Sequence, residues 1–315
     1  MTITVIAPGP LTTIQDLGRH GYRHLGVATA GVLDPLALRL GNRLVGNQDN
    51  AAGLEITFGN AQLRFDSPCT FVLMGACLQA SLDQQPIAPG FRIQAKKGSM
   101  LQLRGRKNSL RAYLCVAGGI AVDTVMDSCA TDLQAQFGGL KGRALQAGDV
   151  IKLGTPPKAT LKSCVGFRLP PYQQNIRVLP GPHRHLLPND AFAQLLEHDW
   201  QIAKCSNRMG ARLDTNDNAQ LHHHLDLPSQ AVHPGVIQLP PSGSPIVLLQ
   251  DCQTTGGYPI IGQVVGADLR HFAQLGALQY CRFVAADFSS ALAATREQEL
   301  HLARADIALN YNNND

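Results

Sequence analysis

The chain has 315 residues and a net charge of +4; 44% of its residues are hydrophobic, 16% are charged, and it carries 30 glycines and 19 prolines. This composition excludes a disordered chain, a collagen-like repeat and a long coiled coil, because the apolar fraction suffices for packed cores. The length predicts two domains. The small positive charge does not indicate a nucleic-acid partner, and no apolar run is long enough to cross a membrane, so we expect neither partner.

Short apolar runs bounded by glycine, proline or aspartate predict β-strands along the whole chain. They lie at Ile3–Ile6, Leu54–Phe58, Phe71–Met74, Met100–Leu103, Ala112–Val116, Val150–Leu153, Ile176–Leu179, Ile246–Leu249, Ile260–Val265 and Gln279–Val284. Helical periodicity is clear only at residues 34–45, 189–200 and 287–305. In the first of these, Asp34 can cap the helix and Pro35 suits its first turn. The pattern predicts a mainly β protein with a few helices.

The stretch 158–175, with Pro170-Pro171 followed by Gln173-Gln174-Asn175, is the predicted linker between domains. Residues 3–10 and 176–182 each read as a strand followed by a Gly-Pro turn, which indicates two halves of one β-domain type. The predicted domains are therefore 1–165 and 170–290, followed by a C-terminal helix and polar tail at 291–315.

Eight scattered cysteines without a CxxC pair, and an N-terminus without a signal peptide, predict a reduced, cytoplasmic setting. The densest histidines, at 183, 185 and 222–224, do not have the spacing of a zinc site, so no metal site is predicted. The nucleotide-binding motifs of P-loop and Rossmann proteins are absent.

Three polar, glycine-containing segments are the candidates for chemistry. In the first, residues 9–22, Gln15, Asp16 and Arg19 supply an amide, a carboxylate and a guanidinium on a turn-rich stretch. The guanidinium could hold a carboxylate or phosphate with two hydrogen bonds. Alternatively, Asp16 and Arg19 pair with each other and only fix the loop.

In the second segment, residues 206–213, Arg208 and Arg212 lie four residues apart with a glycine between them. On a strand, both would point to one face and could clamp an anion. The alternative is a pair of ordinary surface arginines.

The third segment, residues 245–259, is a buried-strand pattern that ends in polar residues and Gly256-Gly257. Polar groups just beyond a core strand are typical of sites carried on a rigid scaffold. Asp251 could act as a base or orient a water, while the glycines allow a ligand to approach the backbone. The alternative is a tight turn that Asp251 fixes by bonding its own backbone.

Taken in chain order, these segments and several apolar blocks resemble the allophanate hydrolase subunit 2 family. The blocks are TTIQDLGR at 12–19, the stretches 41–47 and 54–59, SNRMG at 206–210, PGVIQLP at 234–240 and QTTGGYP at 253–259. The family includes the C-type subunit of ATP-dependent 5-oxoprolinase, the regulator KipA and part of the carboxyltransferase region of urea carboxylase. The resemblance extends over about residues 3 to 285 and departs from the family pattern at Ala211 and Ala277.

The resemblance implies two cyclophilin-like β-barrel halves and a subunit that hydrolyses 5-oxo-L-proline to L-glutamate. It also implies a B-type (KipI-like) partner, an A-type subunit, and ATP with Mg2+ shared with those partners, without a bound metal or covalent biotin on this chain. Asp251 and Arg208 would be catalytic. The expected substrate-binding residues are Gln15, Asp16, Arg19, Arg212, Gln253, Thr254, Thr255 and Tyr258.

Two alternatives remain open under the same resemblance. One is a KipA-like regulator that binds a kinase-inhibitor partner and does no chemistry. The other is a biotin-dependent carboxyltransferase that acts on a urea-like amide, with biotin supplied by another protein because the chain has no AMKM-type attachment site.

Overall fold

The computed structural model describes residues 1–76, 79–105, 110–158, 161–162, 165–187, 190–215 and 221–314. The chain divides into two compact units, each of which is discontinuous in sequence. Unit 1 comprises Met1–Arg19, Ala30–Pro171 and Glu299–Asp315, and unit 2 comprises His20–Thr29 and Tyr172–Gln298. This division differs from the predicted domains, because residues 20–29 group with unit 2 and the last part of the chain groups with unit 1.

The regular secondary structure of the described residues is mainly strand, as the apolar runs predicted. In unit 1 the strands are β1 (Thr2–Pro8), β2 (Leu11–Gln15), β3 (Gly53–Thr57), β4 (Ala61–Phe65), β5 (Cys69–Gly75), β6 (Gln79–Leu82), β7 (Gln85–Pro86), β8 (Ile93–Ala95), β9 (Met100–Arg104), β10 (Arg111–Val116) and β11 (Val150–Lys152). In unit 2 they are β12 (Asn175–Pro180), β13 (Asp199–Ile202), β14 (Gly210–Asp214), β15 (Gln230–Ala231), β16 (Val236–Gln238), β17 (Ile246–Leu248), β18 (Thr255–Gly256), β19 (Ile260–Val264) and β20 (Tyr280–Ala285).

The helices are α1 (Pro35–Leu44), α2 (Ala191–Glu197), α3 (Leu269–Phe272) and α4 (Phe288–Asn314). The predicted cap is confirmed, since the Asp34 carboxylate accepts a hydrogen bond from the amide of Ala37 at 3.0 Å. The helix predicted at 189–200 is shorter than expected, because α2 ends at Glu197 and the chain enters strand β13 at Asp199. Trp200 is the reason, because its fully buried ring belongs to the core of the barrel described below. Residue 189 lies outside the described residues.

Two sheets enclose the main core of unit 1. One has the strand order β11-β1-β4-β9-β6-β7 and the other the order β2-β3-β10-β5-β8. Apolar side chains from both sheets, such as Val5, Phe65, Phe71 and Leu114, form one buried cluster. Strands β9 and β10 lie in different sheets.

A second apolar cluster of unit 1 joins α1 to the end of α4. Leu40 and Leu44 of α1 contact a cluster that includes Leu302, Ala305 and Leu309. Ion pairs border it, because Arg43 bonds to Asp306 at 2.6 Å and Arg39 bonds to Glu299 at 2.6 Å. The last part of α4 thus completes the core around α1. Among the described residues, no helix is both long enough and apolar enough to span a membrane.

Replacing Leu302 with alanine is expected to destabilise the protein by about 2–5 kcal/mol, because a fully buried leucine leaves a cavity when it is truncated. The measurement is the free energy of unfolding in urea, followed by circular dichroism. Leu300→Ala on the same helix is the matched control, since Leu300 is 58% exposed and its loss is expected to change stability by less than about 0.5 kcal/mol. Equal effects of the two substitutions would contradict the packing of α4 against α1.

Unit 2 is built on a closed barrel with the strand order β12-β19-β16-β17-β14-β13-β20. Neighbouring strands pair antiparallel except β12 and β20, which pair parallel. The mainly β class and the barrel are confirmed, although the strands of unit 1 are arranged in two sheets. Alternation along β14 sets the two faces of the barrel wall, because Ala211 and Leu213 are buried while Arg212 is exposed.

Candidate functional site

The first predicted segment is held by a network within unit 1. The carboxylate of Asp16 accepts three hydrogen bonds, from the amide of Gly18 at 2.8 Å, the hydroxyl of Ser128 at 2.7 Å and the amide of Cys129 at 2.6 Å. The side-chain amide of Gln15 donates to the carbonyl of Thr131 at 3.1 Å. These bonds dock the turn after β2 onto the loop around residues 128–131.

Arg19 lies in the same network and is completely buried. Its guanidinium donates to the carbonyls of Val125 and Ala130, each at 2.9 Å, and lies 4.5 Å from the centre of the Phe137 ring. Backbone carbonyls and an aromatic face are the partners of an arginine that anchors a loop. Asp16 and Arg19 thus fix the loop as the alternative expected, but through these separate partners rather than through the Asp16–Arg19 pair that it specified. Anion binding by Arg19 stays a prediction.

Arg208 and Asp251 meet in unit 2 as a buried pair. Two nitrogens of the guanidinium donate to the two carboxylate oxygens, both at 2.8 Å, and each side chain is 4% exposed. A backbone bond from the amide of Asp251 to the carbonyl of Arg208, at 3.1 Å, runs beside them. The pair thus joins the turn before β14 to the turn after β17. Both carboxylate oxygens are engaged, so a catalytic role for Asp251 stays a prediction.

Cys252, the next residue, has a completely buried thiol. Burial raises the pKa of its thiol to about 11, and the nearby Arg23 only partly opposes that shift. The side chain instead contributes to a small apolar cluster with Val236, Leu248 and Ile260. The thiol therefore has a packing role.

The second and third predicted segments share a pocket of about 230 Å³ in unit 2. Three of the predicted binding residues line it, namely Arg212, Gln253 and Tyr258. The other lining residues are Cys205, Asn207, Met209, Gly210, Gln238, Ile246 and Leu248. The structure thus brings part of both motifs to one concave surface.

Strand register explains why these side chains converge. Arg212 on β14 is the cross-strand partner of Ile246 on β17, and Ile246 is in turn the cross-strand partner of Gln238 on β16. The three residues form one row across the barrel wall. The adjacent row, which includes Ala211 and Ile237, is buried. Because alternate residues of a strand point to opposite faces, Arg212 and Gln238 share a face.

Gln238 was not among the predicted site residues. It is 2% exposed, and its amide nitrogen Nε2 has no hydrogen-bond partner among the described residues. The oxygen of the same amide accepts a bond from the side chain of Gln253 at 3.4 Å. Gly256 leaves room for this amide, since a Cβ there would come within 2.6 Å of Nε2. A glutamine inside the apolar run PGVIQLP was the signal in the sequence.

Arg23 is a second residue that the sequence analysis missed. Its guanidinium donates to the carbonyls of Val232 and Gln253, the latter at 2.9 Å. Segment 20–29 is thereby attached to the loop that carries Gln253. Sequence patterns gave no indication of this, because the two segments are more than 200 residues apart in the chain.

The remaining predicted residues, Thr254 and Thr255, act through their backbone. The carbonyl of Thr254 accepts a bond from the amide of Val232 at 3.0 Å, and Thr255 pairs with Ala231 in the short ladder of β15 and β18. This ladder joins the loop 252–258 to the segment that precedes β16. Contact of either hydroxyl with a ligand stays a prediction.

The sequence of the chain matches a known family. The model of the carboxyltransferase domain, subdomains A and B, matches residues 25–285, and the chain belongs to that family. Within it, the chain is 40% identical to the C-type subunit of 5-oxoprolinase from Escherichia coli, over 94% of this chain and 95% of that protein. It is 38% identical to the corresponding 5-oxoprolinase protein of Haemophilus influenzae, over 92% of this chain and 93% of that one.

A solved structure has the same fold. The crystal structure of the Kluyveromyces lactis urea amidolyase superposes with a TM-score of 0.87 at 27% identity, covering 96% of this chain. The match takes in only 20% of the urea amidolyase chain, which is a much longer protein. The family and the fold are thereby shown, together with a likeness to a hydrolase subunit.

Proposed function

We propose that this protein is the C-type subunit of an ATP-dependent 5-oxoprolinase, which opens 5-oxo-L-proline to L-glutamate together with B-type and A-type subunits. The observation that carries the proposal is the 40% identity to the E. coli C-type subunit, which extends over 95% of that protein. Similarity over the full length of a subunit, rather than over one module, supports the same place in a complex.

The pocket in unit 2 supports the same proposal chemically. 5-Oxoproline is a small ligand with a carboxylate and a lactam amide, and the pocket offers a guanidinium, side-chain amides and a phenol. Pockets for drug-sized ligands exceed about 300 Å³, so a volume of about 230 Å³ suits a smaller molecule. Binding of this kind would orient the lactam for attack, which is a large part of enzymatic rate enhancement.

Magnesium does not fit the groups that line this pocket of unit 2. Mg2+ prefers carboxylate oxygens and water, whereas the described lining residues carry no carboxylate. The nearby carboxylate of Asp251 has both oxygens bonded to Arg208. We therefore propose that the nucleotide and its metal, shared with the partner subunits, bind outside this pocket, and we derive no step of the reaction through them on this chain.

The test is reconstitution of the three subunits with ATP, Mg2+ and 5-oxo-L-proline, with glutamate as the measured product. We expect glutamate to form only when all three subunits are present. The control omits this chain while keeping the other two. An assembled complex that forms no glutamate would contradict the proposal and favour the regulator that binds its partner without chemistry.

A second candidate function is carboxyl transfer to a urea-like amide. The observation that favours it is the TM-score of 0.87 to the urea amidolyase structure, together with the carboxyltransferase family model. Under this alternative, biotin would arrive on another protein. Adding a carboxylated biotin carrier and urea to the same reconstitution tests it, and consumption of carboxybiotin without glutamate formation would support this function instead.

A further inference from the structure

We infer that Gln238 is the specificity-determining donor of the pocket in unit 2, and that it binds the carbonyl oxygen of a small carboxylated amide whose carboxylate meets Arg212. This inference rests on the proposed function for the identity of the ligand. Its physical basis, an amide buried without a partner among the described residues in the wall of a pocket, is independent of that function.

The side-chain amide of Gln238 is buried with its donor end unsatisfied among the described residues. A buried donor without a partner is unfavourable, and folded proteins satisfy the great majority of such groups. Nε2 of Gln238 is nevertheless unpartnered within the part of the chain that the structure describes, while its oxygen is shared with Gln253. A ligand that presents an acceptor oxygen to Nε2 removes this penalty when it binds.

The neighbouring residues hold the Gln238 amide in one position. Gly256 lies so close that any side chain there would displace the amide of Gln238. The bond from Gln253 fixes the oxygen end of the same amide, and Arg23 holds the backbone of Gln253 through its carbonyl. The donor is thus preorganised, which lowers the cost of binding.

The distance between Gln238 and Arg212 limits the size of the ligand. Arg212 and Gln238 lie on strands β14 and β16, separated by β17, so their backbones are about 10 Å apart. Both side chains occupy the same face, and both line the pocket. A ligand that reaches both groups is a small molecule with a carboxylate at one end and a carbonyl at the other, such as 5-oxoproline.

The experiment measures binding to the full chain by calorimetry with three probes: 5-oxo-L-proline, L-proline and 2-pyrrolidinone. L-Proline has no ring carbonyl, and 2-pyrrolidinone has no carboxylate. We expect 5-oxo-L-proline to bind tightest. In Gln238→Met its affinity should fall by about 10- to 100-fold, to the level of L-proline, because the matched donor is gone. In Arg212→Met the preference for 5-oxo-L-proline over 2-pyrrolidinone should disappear.

The control variant is Gln263→Met on the neighbouring strand β19. The amide of Gln263 is satisfied, with bonds to the carbonyls of Val264 at 3.0 Å and Pro234 at 3.4 Å. This variant is expected to lower the urea midpoint of unfolding and to keep the probe selectivity. Gln238→Met is expected to lose the probe selectivity and to have an unfolding midpoint at or above that of the unaltered chain.

The outcomes separate this inference from the proposed function. If the unaltered chain bound none of the probes, or if Gln238→Met kept both affinity and selectivity, the inference would be overturned even where the complex makes glutamate. If the complex made no glutamate but the chain showed the selectivity described, the inference would stand and the proposed function would fail. In an active complex, Gln238→Met should raise KM for 5-oxo-L-proline with a smaller effect on kcat.

Discussion

Replacing Asp251 with asparagine is expected to destabilise unit 2 by about 3–5 kcal/mol, because it leaves the guanidinium of Arg208 buried and uncompensated. The measurement uses Trp200, the one tryptophan of the chain, which is fully buried in the barrel. Its fluorescence during urea unfolding reports on unit 2 directly. The matched control is Asp226→Asn, since Asp226 is exposed and its substitution is expected to change stability little.

The double substitution Arg208→Met with Asp251→Leu gives a second readout. Removing both charges leaves no unpaired ion, so we expect most of the lost stability to return. A base role for Asp251 predicts the opposite pattern for the single variant, namely a normal Trp200 unfolding midpoint and a lost activity in the reconstituted complex. That pattern would contradict the purely structural role of the pair.

Replacing Arg19 with methionine is expected to destabilise unit 1 by about 2–5 kcal/mol. The carbonyl of Ala130 loses its charged donor, the partly buried carbonyl of Val125 keeps only the amide of Ser128, and the contact with the Phe137 ring is lost. The orphaned buried carbonyl costs about 1–3 kcal/mol, and the ring contact contributes about 0.5–2 kcal/mol. Hydrogen exchange of the amides at residues 128–131 is the measurement, because Asp16 and Ile14 hold two of them.

Arg64→Met serves as the control for the Arg19 substitution. The Arg64 side chain is 44% exposed and pairs with Asp66 at the surface, so its loss is expected to leave exchange in the 128–131 loop unchanged. If Arg19→Met left stability and exchange unaltered but weakened 5-oxo-L-proline binding, Arg19 would be an anion-binding residue and the loop-anchor role would be wrong.

Local patterns carried most of the fold prediction. The Asp34–Pro35 start of α1 and the apolar runs that became strands depend on neighbouring residues only, so they could be recognised without tertiary structure. Trp200 shows where this fails. The helical pattern extended to it, but burial of its ring in the barrel outweighed local propensity.

The site was predictable in composition more than in geometry. The motifs around Arg212 and Gln253 were recognised as polar segments, and both line one pocket. The engagement of Arg208 with Asp251, and of Arg19 with backbone carbonyls, depends on contacts between distant segments that spacing does not reveal. Gln238 was overlooked because its strand reads as apolar, and only its amide, unpartnered among the described residues, marks it.

Because the last part of α4 belongs to unit 1, this unit can complete its core only at the end of translation. Domains commonly fold in order from the N-terminus as they are synthesised. Here strands β5 and β10 pack against α1 early, but the part of the cluster that Leu302, Ala305 and Leu309 cover stays open until these residues have been translated, almost 260 residues after Leu44. The nascent N-terminal portion therefore lacks part of its apolar core during most of translation, and we expect residues 1–171 expressed alone to be less stable than the same segment in the full chain.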